Sequence, residues 1–94
     1  MSIFINLSKE KKKLLKIKQY SDSNGVVMDI LSWFINENGI YIRSLSANEV
    51  PCRMVDTELN YFLMQLEMNV IAIISYGNDD SDFFDIRGNR AKLS

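Results

Sequence analysis

Histidine is missing from the chain altogether. This removes the side chain that most often serves as a general base near neutral pH. It also rules out Ser-His-Asp and Cys-His nucleophile arrangements, and every zinc site built on imidazole. Cysteine occurs once, at Cys52. A single thiol allows no internal disulfide and no four-cysteine zinc site, and it fits a reducing compartment. No apolar run approaches the roughly 20 residues of a membrane span. The apolar start, Ile3 to Leu7, precedes the lysines, whereas an export signal has the reverse order. The expected location is therefore cytoplasmic. No glycine-rich phosphate loop or dinucleotide fingerprint is present, so no cofactor and no metal is expected.

What is present is one domain's worth of ordinary globular sequence. Of the 94 residues, 47% are apolar and 24% charged, the usual proportions for a packed domain. A chain this long buries roughly 60–65% of its unfolded surface, enough to fold alone with little margin. The most informative stretch is Gly25 to Leu45. Two runs rich in β-branched and aromatic residues, Val26–Ile35 and Ile40–Leu45, flank the turn cluster Asn36-Glu37-Asn38-Gly39. That pattern predicts an antiparallel hairpin with a three-residue loop and positive φ at Gly39. The register this loop sets pairs Trp33 with Arg43, Phe34 with Ile42 and Leu31 with Leu45. A two-residue Asn-Gly turn is the competing register and slides every pair by one. The first run is apolar on both faces, as in a central strand.

On either side the signals are mostly helical. Ile3, Ile5 and Leu7 alternate with Ser2, Phe4 and Asn6 as a short edge strand or a lead-in to a helix. Ser8 can cap a helix over Lys9 to about Lys18; a short helix followed by a strand over Leu14–Tyr20 is the alternative. Asp56 can cap a second helix, Thr57 to about Met68, in which Leu59, Phe62, Leu63 and Leu66 share one face. Asn69 suits a left-handed stop. Val70–Tyr76 reads as a buried strand, Gly77–Ser81 as a turn and Asp82–Arg87 as a last strand, with a frayed polar tail over residues 88–94. The expected fold is α+β, a single small domain over residues 1–94. Two hairpins form one antiparallel sheet with two helices packed on one face, in the order helix-hairpin-helix-hairpin.

The charges are segregated. Residues 1–20 carry a net +5, residues 21–86 a net −9 and residues 87–94 a net +3. Such a division gives a field able to steer a charged partner. The basic patch Lys9, Lys11, Lys12, Lys13 and Lys16 is a solvated helix face or a phosphate grip. Nucleic acid is the weaker expectation, because arginines and interleaved aromatics are lacking and the overall charge is −1. The acidic cluster Asp79, Asp80, Asp82 and Asp85 is denser. Read as a calcium loop from Asn78, it needs glycine where Phe83 stands and glutamate where Asn89 stands, so the motif fails. Read as a soluble turn, it needs nothing more. Read as a protein-binding patch, it has Phe83 or Phe84 as an apolar anchor beside the charge, and of that pair one ring is expected to face the core. Cys52 is expected to be a small buried hydrophobe, and Trp33 and Tyr41 packing residues.

These exclusions and charges lead to a non-enzymatic binding protein, with Asp79, Asp80, Asp82, Phe83, Phe84 and Asp85 as its contact residues. Its expected partner is a basic protein, a toxin or nuclease-like effector, held in a 1:1 complex. Immunity proteins, antitoxins and phage-encoded inhibitors work in this way. The abundance of Ile, Asn and Lys fits an AT-rich gene on a mobile element. The other classes are a self-associating structural or regulatory subunit (a homodimer through the sheet edge), a nucleic-acid module using the lysines, and a carboxylate-dependent enzyme.

Overall fold

The computed structural model describes residues 4–93. The alternation expected at the start begins with Ser2 and Ile3, which lie outside the described residues, as does Ser94. In chain order the elements are β1 (Phe4–Ile5), α1 (Lys9–Leu14), β2 (Ile17–Ser21), β3 (Val27–Asn36), β4 (Gly39–Ser46), β5 (Met54–Glu58), α2 (Leu59–Glu67), β6 (Ala72–Tyr76), β7 (Phe83–Phe84) and β8 (Lys92–Leu93). The main sheet has six strands in the order β5-β4-β3-β2-β6, and β7 lies parallel against β3. β1 and β8 form a separate parallel pair.

β3 organises the sheet, as its two-sided apolar sequence requires. Along one edge it pairs with β4. Along the other, Val27–Asp29 pair with β2, and Trp33 and Phe34 pair with β7. The β3–β4 register differs from both expected ones. Gly39 does take a positive φ of 133°, but the ladder closes earlier, with Asn36 facing Gly39, Phe34 facing Tyr41 and Trp33 facing Ile42. The Asn36 side chain accepts from the Asn38 amide at 2.8 Å and tightens the turn. A register shift between Ile30 and Ser32 moves the pairing by another residue, so Asp29 faces Leu45.

The helix-hairpin-helix-hairpin order does not hold. Strands make up 43% of the described residues, and the two short helices only 17%. Three local facts account for this. Ser8 does cap α1, accepting from the Lys11 amide at 3.3 Å. The helix nevertheless stops at Leu14, because Ile17 and Tyr20 go into the core and the segment pairs with both β3 and β6. Next, Asp56, Thr57 and Glu58, expected as the cap and first turn of the second helix, continue β5 and pair with β4. Glu58, not Asp56, caps α2, accepting from the Tyr61 amide at 2.8 Å. Finally, β6 and β7 are not a hairpin: β6 pairs with β2 while β7 crosses to β3.

The core takes Leu15, Ile17, Tyr20, Met28, Trp33, Ile42 and Phe83 from the strands and turns, and Leu59 and Phe62 from α2. Tyr20 meets the Phe62 ring edge-on, with centroids 5.0 Å apart. Its hydroxyl donates to Ser44 Oγ at 3.0 Å, so these buried polar atoms satisfy each other. Ser46 Oγ, also buried, accepts from the Arg53 amide at 2.7 Å. Asn69 takes the left-handed conformation (φ 58°) after α2 and turns the chain into β6. No helix among the described residues is long and apolar enough to cross a membrane.

Candidate functional site

The segment Gly77–Asp82 leaves the edge strand and returns to the centre of the sheet. Its backbone is tied at three points: the Gly77 amide donates to Lys16 O at 2.7 Å, the Ser81 amide to Leu15 O at 2.9 Å, and the Trp33 amide to Asp82 O at 2.8 Å. The loop is thus held by hydrogen bonds to residues far away in sequence. Asp79, Asp80 and Asp82 stand exposed on it. Two of them meet cations. Lys16 Nζ lies 3.6 Å from Asp80 and donates to Asn78 O at 3.0 Å, and Arg90 lies 3.5 Å from Asp82. The side chains in both ion pairs are at least half exposed, so each pair is worth little and the loop keeps its negative character.

Asp85 is a different kind of residue. It is buried, and its Oδ1 accepts from the Arg87 and Asn89 amides, both at 2.9 Å. It organises the turn that reverses the chain at Gly88, where φ is 81°. Phe83 is buried against Trp33, with ring centroids 5.7 Å apart. Phe84 points the other way and is half-buried. The four aspartates and two phenylalanines expected to act together are thereby divided. Asp79, Asp80, Asp82 and Phe84 reach the surface, while Phe83 and Asp85 support it from inside.

Phe84 lines an open groove of about 420 Å³ together with Ser32, Phe34, Asn36, Arg43 and Ile86. Its lining mixes apolar residues with Ser32, Asn36 and Asp85, and Arg43 supplies a fixed cation. Arg43 donates through Nε and Nη2 to the two carboxylate oxygens of Asp56, at 2.9 and 3.0 Å. Its guanidinium carbon lies 4.7 Å from the centre of the Phe34 ring, a cation–π contact. Phe34 in turn stacks on Tyr41, with centroids 5.6 Å apart. The hydrogen bond from Arg43 holds the Asp56 carboxyl below the usual carboxylate range, partly opposed by burial. The same bond holds Arg43 above its ordinary value. Ser32, not Trp33, faces Arg43 across the ladder. This arginine–aromatic stack was hidden by one residue of register: pairing by the wrong loop length sends the guanidinium to the indole instead.

No protein-family model matches the chain, and no curated protein or solved structure is similar enough to place it in a family. The site is therefore read from its own geometry. Of the basic patch, Lys9, Lys11, Lys12 and Lys13 lie on α1, where Lys11 and Lys12 are half-buried. Lys16 is drawn off to the acidic loop. Cys52 is exposed, against the expectation of burial, because it lies in the irregular turn before β5. Among the described residues, no three acidic or cysteine side chains gather in a way that could hold a metal ion.

Proposed function

We propose that the protein is a non-enzymatic binding protein that acts in the cytoplasm by covering the basic site of a protein partner. Immunity proteins, antitoxins and phage-encoded inhibitors provide the pattern. The observation that carries this reading is the fixed acidic loop running directly into a groove lined by aromatic, aliphatic and polar side chains. Asp79, Asp80 and Asp82 supply negative charge on a tethered backbone, and two and four residues further on Phe84 and Ile86 border a cavity of about 420 Å³. Charge of this kind speeds encounter and selects a basic surface. A groove lined by aromatics and arginine is the composition in which binding energy concentrates. The preset backbone reduces the ordering cost of association.

The test is co-expression with the product of each neighbouring gene, followed by association kinetics on any complex that purifies. The expected result is a 1:1 complex. Replacing Asp79, Asp80 and Asp82 together by Asn should slow its association by about tenfold at low ionic strength. Phe84→Ala should instead speed its dissociation. A complex indifferent to both changes, or a lone protein that turns over a substrate, would overturn the reading.

A further inference from the structure

The two edges of the main sheet differ in chemistry. The β5 edge carries Asp56 and Glu58 and is approached through Pro51 and Arg53. Charge and proline at an edge discourage a further strand. The β6 edge has neither. From Val70 to Tyr76 there is no charged residue, no proline and no glycine. β6 pairs with β2 on one side and with no described strand on the other. Its outward side chains are Ala72, Ile74 and Tyr76, of which Ile74 is 49% and Tyr76 61% exposed. Just before the strand, Met68 and Val70 are exposed as well. Register shifts opposite β2 add local twist, but the exposed/half-buried alternation along β6 continues through them.

We propose that this edge binds a second copy of the chain, β6 against β6, antiparallel, with the twofold axis at Ile74. That axis sets Ile74 against Ile74 and Ala72 against Tyr76 on each side of it, so a methyl group stands across from each ring. The apolar side chains of both copies fall on the same face of the joined sheet. Charge selects the direction. The acidic loop begins immediately after β6, so a parallel joint would bring Asp79 and Asp80 of the two copies together. The antiparallel joint sends the two loops to opposite ends. A net charge of −1 per copy offers no general repulsion. Five paired residues span only about 17 Å. A joint that short makes a weak, concentration-dependent dimer and not an obligate one. The dimer keeps the two acidic loops apart from each other and stands independently of the function proposed above.

Sedimentation velocity over a concentration series tests this. Wild-type protein should show a concentration-dependent dimer, and Ile74→Lys should raise its dissociation constant at least about tenfold by setting like charges face to face. Leu31→Lys, at an exposed site on β3, should leave the dimer unchanged. Circular dichroism checks that each variant is folded. In a Cys52→Ser background, Ile74→Cys should form a disulfide-linked dimer under mild oxidation, and Leu31→Cys should not. A wild-type monomer at every concentration, a dimer indifferent to Ile74→Lys, or failure of the Ile74→Cys chain to crosslink would overturn the proposal.

Discussion

At Asp85 one carboxylate oxygen accepts from two backbone amides, those of Arg87 and Asn89, in a buried turn. Removing it leaves both donors without that acceptor, at a cost of about 1–3 kcal/mol. Asp85→Ala should lower the free energy of urea unfolding by that amount. Asp85→Asn retains an acceptor oxygen and should cost less. Asp79→Asn, on the exposed loop, should stay within about 0.5 kcal/mol of wild type; equal losses at positions 79 and 85 would mean that both carboxylates are structural. Asp56 makes a different prediction. Its folded-state carboxyl is held low by Arg43, so its contribution to stability is full above the unfolded value near ~4. The contribution disappears as pH falls through the lower folded value. The Arg43 and Asp56 side chains are 41% and 38% exposed, and solvent screening limits the pair to about 1 kcal/mol or less. Wild type should therefore exceed Asp56→Asn at pH 7, and the gap should close in acid as pH falls through the lowered folded value. A gap that persists in acid would assign the effect to packing.

Between elements, β7 is the test case, because its two phenylalanines face opposite ways. Phe83 is 4% exposed and packs on Trp33, so Phe83→Ala should cost about 3–5 kcal/mol. Phe84→Ala should cost distinctly less and, if the proposed partner contact is right, show itself in the dissociation rate of that complex. Similar thermal shifts for the two would contradict the division of roles. The sequence showed that one of this pair faces inward, and it showed β3 as a central strand, the Ser8 cap and the left-handed Asn69. Those features depend on local chemistry: a hydroxyl before a helix, a polar residue at a stop, apolar residues on both faces of a strand. It did not show what depends on distant pairing. Lys16 to Tyr20 reads as helix or as strand around a buried Ile17, and the simultaneous offer of β3 and β6 decides for the strand alternative. Asp56 is an acceptable helix cap in isolation, but its carboxylate is engaged by Arg43 of the neighbouring strand. The groove was out of reach for the same reason. Its arginine and aromatics come from β3, β4 and β7, and one residue of register decides which ring lies beneath the guanidinium.

Over the whole molecule, the charge segregation along the chain is partly undone in space. Six lysines lie in the first 20 residues, yet the turn after α1 brings Lys16 onto the acidic loop, 3.6 Å from Asp80. The loop therefore presents less negative potential than its three exposed aspartates would give alone. If that potential steers a basic partner, the compensating cation lowers the association rate, and removing it should raise the rate. Lys16→Gln should increase the association rate about two- to threefold at low ionic strength, with the gain fading as salt shortens the screening length to ~8 Å. The side chains of this pair are 50% and 52% exposed, so stability should change by no more than about 0.5 kcal/mol. Lys13→Gln removes the same charge from the exposed side of α1 and should give a smaller gain. A slower association for Lys16→Gln would show that the partner touches the lysine itself, and would move the contact surface from the acidic loop to the helix beside it.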